Sequence, residues 1–190
     1  MTRLTVITPT RGRLSLRRTI QSIAPQLADG DEHLVIGDGP QVGARRIVEA
    51  CGGVYHQGPA TATYGAHQRD YGIAHATGDY VMFCDDDDIL TDGALAVVRA
   101  GIADNPGVPL LFRMDVPGFG VLWHDPVIRH GNVGTPMIVA PRDGRLADWA
   151  SSPEAYTADL WFIARTVANH GSAVVWCKEV ICQCRTQQWS

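Results

Sequence analysis

Apolar runs and helically spaced stretches alternate along the first half of the chain. Leu4-Thr-Val-Ile-Thr8 is apolar or β-branched throughout and is broken by Pro9-Thr-Arg-Gly-Arg13, which predicts a strand running into a loop. Leu16, Ile20, Ile23 and Leu27 then fall at helical spacing behind Ser15 as a cap, predicting a helix to about Gln26. His33 to Gly37 reads as a second buried strand, Val42 to Ala50 as a second helix, and Gly53 to His56 as a third strand. A loop rich in Gly, Ala and Thr, from Gly58 to Gly65, leads into a predicted helix over Tyr64 to Ala76. Tyr80-Val-Met-Phe-Cys84 is apolar on both faces, as a strand buried in a parallel sheet would be, and it ends abruptly in Asp85, Asp86, Asp87 and Asp88. Gly93 to Asp104 is another amphipathic helix.

After residue 108 the pattern changes. Leu110 to Met114, Val121 to Trp123 and Met137 to Ala140 are strand-like runs separated by Gly and Pro turns, with no helix between them. Leu160, Ile163, Ala164 and Val167 outline one last helix, stopped at Asn169-His-Gly171. Two strands, Ala173 to Cys177 and Glu179 to Cys184, complete the prediction. Strands alternating with helices imply an α/β fold: a mostly parallel sheet with right-handed crossovers, flanking helices and a short antiparallel or mixed C-terminal edge.

Composition narrows the function classes. The 190 residues are 45% apolar, enough for one domain with a real core. A formal charge of −4, with no dense Lys/Arg cluster, disfavours nucleic acid as a routine partner. No apolar run reaches the length of a spanning helix and the N-terminus has no signal-peptide architecture, so the expected location is cytoplasmic. Five irregularly spaced cysteines argue for reduced thiols. Cys182 and Cys184 with Cys177 lack a fourth zinc ligand at suitable spacing and read as small buried apolar residues.

The chemistry gathers at strand ends. Consecutive parallel strands present their carboxyl ends on one edge, where open α/β sheets bind ligands. That edge would hold the Pro9 to Arg13 loop, Asp38-Gly39 and the acid run. Adjacent carboxylates repel, and a hard divalent cation sharing phosphate ligands would relieve them. A carboxylate such as Asp38 can accept from a base N–H or a ribose hydroxyl, and an Arg can pair with diphosphate oxygens. Gly37-Asp-Gly-Pro-Gln-Val-Gly43 misses the dinucleotide-binding fingerprint in spacing and in place.

Val6 to Arg13, Leu34 to Gly39, Arg69 to Asp88 and Asp159-Leu-Trp161 together resemble the ordered signature of family-2 glycosyltransferases. The resemblance runs over nearly the whole chain, and the Arg69 to Asp88 block is its most specific part. It implies a GT-A fold, a nucleoside-diphosphate sugar donor, Mn2+ or Mg2+, and the usual inversion at the anomeric carbon. Carried over by position, Pro9, Thr10 and Arg13 would line the base pocket, Asp38 would meet the base and Arg69 the donor. Asp87 matches the metal-binding carboxylate, with Asp85 or Asp86 facing the ribose or seconding the metal and Asp88 structural. Asp159 is the candidate general base, although the family's acidic pair is absent and a two-residue shift would put Thr157 in its place. Gly37, Arg11 and Asp70 stand where the family commonly has Asp, an aromatic and Asn.

As one domain, residues 1–105 would bind the nucleotide sugar and residues 106–190 would form the acceptor side. The acceptor stays open among glycan, protein, small molecule and modified nucleic acid, and a homodimer is one way to supply more acceptor-binding surface. Two rival readings stand beside this one. A sugar-nucleotide nucleotidyltransferase would want a Lys after the first strand, but the only Lys is Lys178. A non-catalytic nucleotide-sugar or metal-binding module would need no general base.

Overall fold

The computed structural model describes residues 2–184. Nine strands form one sheet in the order β3-β2-β1-β4-β8-β6-β9-β5, with β7 paired to β6. β1 (Leu4–Thr10), β2 (Glu32–Gly37), β3 (Val54–Gln57) and β4 (Tyr80–Phe83) are mutually parallel. β8 (Ile138–Pro141) runs antiparallel between β4 and β6 (Leu110–Val116), so the reversed strand lies inside the sheet.

Helices cover both faces. α1 (Leu16–Ile23) and α2 (Val42–Ala50) pack Leu16, Ile20, Ala44 and Val48 around Val35. α3 (Ala66–His75) covers the other face, where Gly72 has no room for a side chain: a Cβ would sit 2.6 Å from Ile7 Cγ2. The crossovers therefore need helices on both sides, which is why the central strands are apolar on both faces. α5 (Ala158–Asn169) brings Phe162 against Phe83 and Trp149.

Several predicted boundaries move, each for a physical reason. α1 stops at Ile23 and a 3-10 turn over Ala24–Gln26 follows, because Pro25 cannot donate to the helix ladder. Ser15 makes no side-chain cap; its backbone is already helical. The buried face of α5 is Ala158, Phe162, Ile163, Thr166 and Val167, which leaves Ala164 exposed. The two predicted last strands are one, β9 (Val175–Gln183), parallel to β6. Its register skips from Trp176 opposite Leu111 to Val180 opposite Arg113, so residues 177–179 form a bulge rather than a turn. β5 (Ile89–Leu90) was not foreseen; two residues carry no period, and its pairing with β9 comes from a partner ninety residues away. α4 (Ala94–Asp104) and β7 (Gly120–Leu122) lie close to expectation.

Candidate active site

The carboxyl ends of β1, β2 and β4 meet as the topology requires, and the acid run is held by the loop after β1. Thr10 donates its hydroxyl to Asp86 Oδ2 at 2.6 Å, and the Arg11 amide reaches the same oxygen at 3.3 Å. Arg13 lies 3.4 Å from Asp86 Oδ1 and also pairs with Asp87. The turn closes through Asp88 N donating to Asp85 O. Asp88 is buried and its carbonyl accepts from the Thr19 hydroxyl.

Arg69 comes from α3 and is only 4% exposed. It pairs with Asp85, donates to the Tyr64 carbonyl at 3.0 Å, and lies over the Trp149 ring at 4.6 Å. Trp149 is stacked on Phe162, with ring centroids 4.3 Å apart, so the indole is a floor under the guanidinium and not an exposed sugar platform. Asp70, next on the helix, accepts from the Trp149 and Ala150 amides and fixes that floor. Trp149 and Asp70 were not singled out for these roles, since a stacking partner eighty residues distant leaves no mark on local pattern.

Asp159, at the first turn of α5, joins the same group. Its carboxyl is raised by burial, against the Leu160 amide and Arg69, while Asp85 adds to the rise. Burial likewise raises Asp86, against the Thr10 hydroxyl and Arg13, and raises Asp87, against Arg13. Arg13 and Arg69 thus face the carboxylates of Asp85, Asp86, Asp87 and Asp159. Burial is the first cause of the rise at Asp86, Asp87 and Asp159, and the charge of Asp85 adds to it at all three.

Asp38 stands at the edge of this group, 4.0 Å from Arg11 Nε. Its Oδ1 accepts from the Thr61 amide at 2.8 Å and from Gln68 Nε2 at 3.0 Å, and its Oδ2 from the Ala62 amide at 3.2 Å. Much of its acceptor capacity thus goes to the Gly58 to Gly65 loop. Gln68, fully buried, is the residue missed here. Gly37 departs from the common Asp for a visible reason: a Cβ there would sit 1.8 Å from the Tyr55 hydroxyl, which donates to Gly39 O.

The sequence profile described as Glycosyl transferase family 2 matches residues 5–148. No curated protein matches the sequence. Among solved structures, S. aureus TarS 1-349 in complex with UDP-GlcNAc superposes with a TM-score of 0.79 at 16% identity, covering 100% of this chain and 60% of that one. The mannosyltransferase PcManGT from Pyrobaculum calidifontis, in complex with GDP-Man and Mn2+, gives 0.73 at 17% identity, covering 99% of this chain and 58% of that one. Glucosyl-3-phosphoglycerate synthase from Mycobacterium tuberculosis, with Mn2+ and UDP, gives 0.69 at 15% identity, over 98% of this chain and 73% of that one. These likenesses identify the fold as GT-A. The chain spans about three fifths of the TarS and PcManGT chains it matches.

Proposed function

The chain belongs to glycosyl transferase family 2, and on that footing we propose that it transfers a sugar from a nucleoside-diphosphate sugar to an acceptor hydroxyl, with Mn2+ or Mg2+ and with inversion. The observation that carries this reading is the joining of Arg13, Arg69 and the acid run at the carboxyl edge of the sheet, with Asp159 of α5 beside them. TarS is solved with UDP-GlcNAc, PcManGT with GDP-Man and Mn2+, and the synthase with UDP and Mn2+, which supports the same donor class here.

The donor set suits a hard cation, because the run offers oxygen ligands alone and a bound cation would offset the repulsion among its carboxylates. Asp87 would hold the ion, seconded by Asp85. When bound, the ion supplies charge neutralisation as the diphosphate leaves, worth about 3–4 kcal/mol for one such stabiliser. Arg69, buried against Trp149, pairs with diphosphate oxygens. Pro9, Thr10 and Arg13 line the base pocket, Asp38 shapes it and retains acceptor capacity on Oδ2 for a base N–H, and Asp85 or Asp86 faces the ribose. Asp159 takes the proton of the acceptor hydroxyl, and its raised pKa moves it toward the range where a base works best at neutral pH. In this division residues 1–105 hold the donor and residues 106–190 face the acceptor.

The test uses UDP- and GDP-sugars with Mn2+ and follows both melting and nucleotide release. At about 100 times its Kd a true donor adds roughly 2.7 kcal/mol, or about 5–10 °C for a domain of this size. Asp159→Asn should keep that shift while release to acceptor or water slows by about 10²–10⁴. A panel giving no shift with any donor, or an Asp159→Asn protein as fast as the parent, would overturn the assignment of donor or of base respectively.

A further inference from the structure

The loop between β3 and α3 is braced against the donor side of the crevice. Asp38 accepts from the Thr61 and Ala62 amides, and Gln68 Nε2 donates to the Pro59 carbonyl at 2.6 Å. Thr63 Oγ1 shares hydrogen bonds with Thr61 Oγ1 at 3.0 Å and with His67 Nδ1 at 2.9 Å. Arg69 Nη1 donates to the Tyr64 carbonyl, and Gly65 abuts the end of β1, where an added Cβ would sit 2.9 Å from Pro9 Cβ. The backbone at Tyr64 is therefore fixed among Pro9, Asp38 and Arg69, yet Tyr64 itself is 73% exposed.

The same backbone is held where a side chain is disfavoured. Tyr64 has φ 52° and lies in the left-handed region, which glycine enters freely and a bulky residue rarely does. Single exposed aromatics are ordinary on a protein surface. An exposed tyrosine in this conformation, on a braced loop beside the ligand edge of the sheet, is a cost to the fold that burial does not repay. Such positions persist where a side chain serves a ligand.

Taking the nucleoside-diphosphate donor proposed above as given, we infer that Tyr64 supplies the aromatic surface on which the donor's nucleobase packs. Asp38 can meet a base only along its edge, through an N–H, which leaves the flat face to be covered by something else. Tyr55 is already committed: its hydroxyl is bonded to Gly39 O and the Gln41 amide, and the Arg45 guanidinium lies over its ring. Stacking on a phenol ring tolerates any base, because every base has a π-face. Tyr64 thus sets how tightly the base half of the donor is held, and the choice between bases falls to the edge that Asp38 reads.

Calorimetric titration of the full chain in Mn2+ with UDP, with GDP and with inorganic pyrophosphate as a base-free probe tests this. Tyr64→Ala is expected to bind both nucleotides about 5- to 150-fold more weakly, the equivalent of the roughly 1–3 kcal/mol of a base stacked on an aromatic ring, and pyrophosphate within about twofold of wild type. Tyr64→Phe should bind all three as wild type does. Tyr64→Gly, which relaxes the backbone, should melt above Tyr64→Ala and still bind the nucleotides as weakly. Equal losses of nucleotide and pyrophosphate in Tyr64→Ala would show that the side chain only shapes the loop. That result, unchanged nucleotide binding in Tyr64→Ala, or a loss in Tyr64→Phe as large as in Tyr64→Ala would each overturn the part given to Tyr64 and leave the donor class standing. Wild-type protein that binds neither nucleotide would overturn the donor class and the part of Tyr64 with it.

Discussion

Asp38 holds its own loop: two backbone amides and the Gln68 side chain converge on one carboxylate. Removing that carboxylate takes the acceptor from the half-buried Thr61 amide and one bond from buried Gln68, which keeps the Pro59 carbonyl, and a donor left unpaired typically costs about 1–3 kcal/mol. Asp38→Ala is therefore expected to lower stability in urea by at least about 1–3 kcal/mol, with Asp38→Asn losing less because its carbonyl still accepts. Unchanged stability in Asp38→Ala would mean the loop does not rest on this residue. Asp38, Arg69 and the acid run stood out in the sequence as charged residues at strand ends or in a helix leading to one. Their partners did not. Gln68, Trp149 and Asp70 are ordinary by residue type, and only the fold shows that one feeds Asp38, one lies under Arg69 and one fixes the Trp149 backbone.

The pairing of β1 with β2 carries a polar link inside an apolar layer. Thr8 Oγ1 and His33 Nε2 share a hydrogen bond of 2.9 Å, and burial pushes the His33 imidazole down from 6.5 to about 4. A histidine depressed in the folded state contributes its full stability above pH 6.5 and loses it as pH falls toward 4, because the unfolded chain takes the proton first. The buried carboxyls of Asp86, Asp87 and Asp159 act oppositely over the acid range, so the difference between wild type and a variant isolates the imidazole. His33→Gln, which can keep a bond to Thr8, should become progressively more stable relative to wild type from pH 6.5 to pH 4 in chemical denaturation. A parallel pair of stability curves over that range would show that His33 protonates freely in the fold. At this scale the parallel strands were legible because they are short, apolar on both faces and punctuated by Gly or Pro. β5 and the bulge in β9 were not, because pairing across the sheet, and no local period, defines them.

Over the whole molecule, topology brings the acid run and its arginine partners to one edge of the sheet. Three parallel strand ends bring their loops together, and α5, arriving after the antiparallel β8, closes the group with Asp159. Among the described residues no helix is long and apolar enough to cross a membrane. An ion held by the acid run and a diphosphate that shares it should bind together, each tightening the other by the same factor. Calorimetric titration of Mn2+ into the protein, with and without UDP, tests that coupling most directly. The account predicts Mn2+ binding at least about fivefold tighter with UDP present, consistent with a coupling of 1 kcal/mol or more, and loss of that gain in Asp87→Asn. Mn2+ affinity indifferent to both UDP and Asp87 would contradict it.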